Sequence, residues 1–104
     1  MINKQLTKEE IISFLRQNKN YLREHFHINK IAIFGSFARD EQNVNSDIDL
    51  LIELEENTQN LFELKNELKQ YISKHFNRNV DIARGKYLKS YAKEMILNEA
   101  VSVE

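Results

Sequence analysis

A mixed α/β (α+β) fold, with a sheet of three to four short strands and helices packed on it, is what this 104-residue chain predicts. Three observations carry the prediction. Apolar runs of strand length occur at residues 31–34, 47–53 and 79–83, each bounded by polar residues. Apolar residues with helical spacing precede the first run, separate the second from the third, and follow the third. The sequence has no proline and only two glycines, so no stretch reads as a linker and residues 1–104 are expected to form one domain.

The elements follow in order. Thr7-Lys8-Glu9-Glu10 reads as a capping box, with Thr7 at the N-cap and Glu10 at the third helical position. Leu6 and Ile11 fit a hydrophobic staple. Ile11, Phe14, Leu15, Tyr21 and Leu22 then predict one amphipathic helix reaching towards His25, with Asn18-Lys19-Asn20 leaving its far end open. His25 and His27 read as packed or solvated side chains, since no third metal ligand is placed near them.

Ile31 to Phe34 is a buried strand that Gly35 ends. Ser36 to about Glu41 reads as a helical turn, which puts Ser36 and Arg39 on one face. Free N–H groups at such a turn suit an anion, and a glycine lets a phosphate approach the backbone. Each residue also has an ordinary reading: Gly35 as a tight turn, Ser36 as a cap, Arg39 as a solvated charge. What gives the turn weight is Asp47-Ile48-Asp49, with ten residues between it and Ser36. Residues i and i+2 of a strand share a face, so both carboxylates project together while Ile48, Leu50, Ile52 and Leu54 face a core. Paired carboxylates repel and raise each other's pKa. The arrangement makes chemical sense around a cation, and Mg²⁺ is commonly held by one or two carboxylates plus substrate phosphates.

Asn60 and Glu63 resemble a cap for a helix from about Leu61 to His75, built on Leu61, Leu64, Leu68, Tyr71 and Ile72; His75 is expected at the surface. Asn79 to Ala83 is the third strand, with Asp81 opposite Val80 and Ile82. A helix joining strands two and three predicts a parallel crossover. The starts of those strands then share one edge of the sheet. An antiparallel first strand brings Gly35-Ser36 there too, so the turn converges with Asp47, Asp49 and Asp81. Alone, Asp81 is an ordinary strand-end residue. Gly85 reads as a turn, Leu88 to Ala100 as a last helix, and Val101 to Val103 as a short edge strand.

Composition sets the outer limits. The net charge of −1 argues against a nucleic-acid coat, and no direct nucleic-acid binding is expected. The average hides a segregation: Asp40 to Leu64 carries eight acidic residues and no Lys or Arg, whereas basic residues outnumber acidic ones from Lys65 onward. That basic portion fits phosphates, an acidic partner, or plain solvated helix faces. The absence of cysteine excludes disulfides and thiolate zinc sites. No apolar run is long enough for a membrane span, and no signal peptide is legible, so a cytoplasmic location without membrane contact is expected. Walker, dinucleotide and HExxH motifs are missing.

The string GSFAR…SDIDLLIE resembles the signature of the DNA polymerase beta-like nucleotidyltransferase superfamily, and in particular its minimal nucleotidyltransferases. The tail from Met95 to Val101 resembles their closing segment. The resemblance implies that Asp47 and Asp49 hold two Mg²⁺ ions, with Mn²⁺ as an alternative. It implies that Asp81 is the third carboxylate, which binds the catalytic metal and activates the acceptor hydroxyl. Gly35 and Ser36 would hold the triphosphate of ATP, and Arg39 would counter its charge. The implied activity is an antitoxin's: transfer of AMP to a tyrosine of a HEPN-domain ribonuclease toxin, within a hetero-oligomeric complex. Two alternatives are an antitoxin that acts by binding alone and a transferase for a small-molecule hydroxyl. One departure stands out: many relatives read Ala-Arg-Gly-Glu where this chain has Ala38-Arg39-Asp40-Glu41, which brings a negative charge near the expected triphosphate.

Overall fold

The structure is a computed structural model and describes residues 5–85 and 90–103. Its sheet has the order β3-β2-β1-β4. The strands are β1 (Ile28–Phe34), β2 (Ile48–Leu54), β3 (Val80–Arg84) and β4 (Val101–Val103), and the helices are α1 (Lys8–Gln17), α2 (Lys19–Phe26), α3 (Leu61–Phe76) and α4 (Ser90–Glu99). β1 runs antiparallel to both β2 and β4, and β2 runs parallel to β3 across the α3 crossover. Both pairings match the expected directions, and Val101–Val103 is the expected edge strand.

Alternation along the strands sorts the side chains into two faces. Ile31 and Ile33 of β1, Ile48, Leu50 and Ile52 of β2, Val80 and Ile82 of β3, and Val103 of β4 join one core with Ile11 and Leu15 of α1, Leu22 and Phe26 of α2, and Leu64, Leu68 and Ile72 of α3. Burying a side chain of this size contributes roughly 1.5–3 kcal/mol. The other face carries Asp49, Leu51, Ala32, Asp81 and Ala83. It borders a groove of about 980 Å³ that Leu97 of α4 also lines.

Several local expectations need correction. The first helix is two helices. Asn18 leaves the helical region with φ −102° and ψ 15°, and both its N–H and its side-chain amide donate back to the Phe14 carbonyl. Tyr71 of α3 donates to the Asn18 side chain at 3.1 Å, so tertiary contact stabilises the break. Thr7 does cap α1, accepting from the Glu10 N–H at 3.2 Å. Asn60 makes no side-chain cap for α3; it sits in the left-handed region at φ 55°. His25 stacks on Tyr21, and His27 closes α2 as a left-handed C-cap. The start expected at Leu88 lies outside the described residues.

Candidate active site

Gly35 follows β1 with φ +76°, a conformation that glycine adopts without strain. A Cβ there would lie 2.9 Å from Cγ of Asp49. The chain therefore needs glycine twice over, for the turn and for the close approach of that carboxylate. Residues 36–40 form consecutive turns and not a helix. Arg39 N–H donates to the Gly35 carbonyl and Glu41 N–H to the Ser36 carbonyl, at 3.2 and 2.9 Å. Phe37 anchors the turn in the core with no exposed surface.

Asp49 is the centre of the arrangement. It pairs with Phe34 across β1 and with Asp81 across β3, so the last residue before Gly35 and the third carboxylate flank it in register. Its pKa is pushed up to about 6, first by burial, then by the negative charges of Asp81 and Asp47, against a lowering by Arg39. Asp47 lies one residue before β2. The Ile48 N–H donates to the Asn79 carbonyl at 2.9 Å, which locks together the starts of the two parallel strands that bear Asp49 and Asp81, just after Asp47.

Two contributors were not visible in the sequence. Arg78 donates to the carbonyls of Asn43 and Ser46 at 3.0 and 2.9 Å and lies over the Phe37 ring, so it ties the loop before Asp47 to the start of β3. Its position just ahead of the third strand was the only available hint. Glu99, at the end of α4, accepts from the Gly35 N–H at 3.0 Å and from the Arg39 guanidinium at 2.8 Å. Arg39 in turn holds the Glu99 carboxyl below the usual carboxylate range. Arg39 also meets Glu41 at 3.1 Å.

Asp40, where the family resemblance leads one to expect glycine, adopts φ 57°. That left-handed backbone is one that glycine adopts without strain. The Asp40 carboxylate bonds to Lys8 at 3.2 Å, on α1.

The donor set suits a hard divalent cation. It is all oxygen, and its central member is held short of compensating positive charge. Among the described residues, no three acidic, histidine or cysteine side chains are closed into a coordination shell. Mg²⁺ does not require one, since it keeps waters and takes substrate phosphates as ligands.

A sheet edge that gathers aspartates beside a glycine turn is compatible with a phosphoryl- or nucleotidyl-transfer class of site. The chain belongs to the nucleotidyltransferase domain family, whose pattern matches residues 15–103, and it is a nucleotidyltransferase. It is 38% identical over 98 residues to the protein adenylyltransferase MntA of Thermococcus cleftensis, covering 94% of this chain and 97% of that one. A solved candidate minimal nucleotidyltransferase superposes with a TM-score of 0.76 at 26% identity, covering 95% of this chain and 98% of that one. A toxin–antitoxin complex solved with AMP-PNP shares the fold, with a TM-score of 0.67 at 22% identity over 95% of this chain and 73% of its own.

Proposed function

We propose that this chain is an antitoxin that transfers AMP from ATP to a tyrosine hydroxyl of a HEPN ribonuclease toxin. The observation that carries the reading is the register of Asp49 beside Asp81, with Gly35 packed against Asp49. Similarity supplies the acceptor class. The Thermococcus cleftensis relative is named a protein adenylyltransferase. A neighbour of the same fold (TM-score 0.61, 15% identity) was solved with a tri-AMPylated HEPN toxin from Shewanella oneidensis.

In this reading the Gly35 N–H, Ser36 and Arg39 receive the triphosphate, and Asp47, Asp49 and Asp81 hold two Mg²⁺ ions. The metal, when bound, supplies stabilisation of charge on the attacking and leaving oxygens. Asp81 is exposed, and its carboxylate takes the phenolic proton as the tyrosine oxygen bonds to the α-phosphorus. The bond from that phosphorus to the bridging oxygen of the β-phosphate breaks, and pyrophosphate leaves. Asp47, one residue before β2, and Asp49 within it would serve as the ligands that orient the reacting groups. Residues 1–104 serve as one minimal transfer unit, and the toxin walls the open carboxylate edge. Incubation of chain and toxin with labelled ATP and Mg²⁺, read by gel and mass spectrometry, tests the proposal: label is expected on a toxin tyrosine.

A further inference from the structure

The groups assigned to the triphosphate already hold an anion that belongs to the chain itself. One oxygen of Glu99 accepts from the Gly35 N–H at 3.0 Å and the other accepts from Arg39 at 2.8 Å. The partners lie 64 and 60 residues apart in sequence, so the fold and not local geometry makes the contact. To these donors a carboxylate looks much like one edge of a phosphate, with two oxygens and negative charge. The Gly35 N–H is a single donor. A phosphate oxygen placed on it must take the position that Glu99 holds. Arg39 has a second acid, Glu41, at 3.1 Å, but among the described contacts only Glu99 spans both the turn's N–H and the guanidinium.

We infer that Glu99 is a specificity-determining residue: an internal stand-in for phosphate that a ligand must displace from Gly35 and Arg39. The inference rests on the reading of those two residues as phosphate binders. It gives the site a threshold. A ligand with one weakly charged group gains little by exchanging with a carboxylate already in place. A polyphosphate brings more charge and further oxygens for the carboxylate edge, so it wins the exchange. Glu99 lies just before β4, which begins at Val101 opposite Ile33, so the displaced side chain swings from a fixed base.

The test measures Kd for tripolyphosphate with Mg²⁺, and for adenosine, on the wild type, Glu99→Gln and Glu41→Gln. Glu99→Gln should bind tripolyphosphate roughly tenfold more tightly, about the value of one charge-assisted contact that no longer competes. Adenosine affinity should not change. Glu41→Gln also removes a charge from Arg39 but leaves the Glu99 carboxylate on both the Gly35 N–H and the guanidinium, so its effect should be clearly smaller. Unchanged or weaker tripolyphosphate binding by Glu99→Gln overturns the inference, and so does an equal gain in Glu41→Gln. If the wild type binds tripolyphosphate and AMP-PNP, failure of these variants leaves the nucleotidyltransferase site standing; if it binds neither, both readings fall. A readout on the unmodified chain covers misfolding of a variant. The side-chain carboxyl ¹³C signal of Glu99 should move to the position of a solvated carboxylate as tripolyphosphate saturates the protein. A signal that stays put overturns the inference.

Discussion

Gly35 and Asp49 are locked together: the glycine's missing side chain is the space that the aspartate carboxylate fills. Phe34, the residue before that glycine, lies opposite Asp49 in the antiparallel register. The Gly35 turn and the central carboxylate are therefore one structural unit. A change to either should be felt at the other.

Gly35→Ala is the direct probe. An alanine at φ +76° is strained, and its Cβ meets the Asp49 side chain. The substitution should cost at least about 1 kcal/mol of stability and should abolish transfer, because the carboxylate has to move. Urea denaturation and a pyrophosphate-release assay check the two effects.

Asp49 should also leave a signature in the pH dependence of the metal-free protein. Its pKa is about 6 in the fold against an ordinary 3.8. Between those values the folded chain keeps a proton that the unfolded chain has lost. The contribution to stability is thus fully present below 3.8 and is lost as pH rises through 6. Screening at a half-buried carboxylate reduces the loss to about 1–2 kcal/mol. Asp49→Asn should remove this slope and be the more stable protein near neutral pH. Denaturation curves of both proteins across that window supply the comparison. A less stable Asp49→Asn protein near neutral pH would mean that Asp49 is a structural carboxylate.

How much of this was legible in the sequence depends on the range of each interaction. The strands, the α3 crossover and the convergence of Asp47, Asp49 and Asp81 follow from period-two alternation and the parallel-crossover rule, both of which a sequence displays. The break at Asn18 was only hinted at by Asn18-Lys19-Asn20, because the helical pattern of α1 and α2 is nearly continuous and Tyr71 stabilises the interruption from far along the chain. Ser36 to Glu41 makes a helical turn only at its start, where the Arg39 N–H reaches the Gly35 carbonyl, and Asp40, left-handed at φ 57°, ends it. Glu99 reads as one acid on a terminal helix. Nothing local records that it reaches Gly35 and Arg39.

Ligand linkage should follow the proposed division of labour. ATP with Mg²⁺ at a hundredfold excess over Kd should stabilise the folded chain by about 2.7 kcal/mol, whereas ATP with chelator should do much less. Thermal shift measures both. Equal shifts in the two conditions would detach the carboxylates from nucleotide binding.

Thr7→Ala serves as the contrast. It removes the cap of α1, and Thr7 makes no described contact with Asp49, so it should lower stability by about 1 kcal/mol and change nucleotide affinity much less than Gly35→Ala does. Thermal denaturation and a binding isotherm are sufficient.

The central claim is that the Asp49–Asp81 edge transfers AMP to a protein partner. The most direct measurement incubates the chain with its HEPN toxin, Mg²⁺ and α-labelled ATP, followed by site mapping, with Asp49→Asn in parallel. The account predicts label on a toxin tyrosine with the wild type and none above background with Asp49→Asn. An unlabelled toxin with a wild-type chain that binds it, or undiminished label with Asp49→Asn, would contradict it.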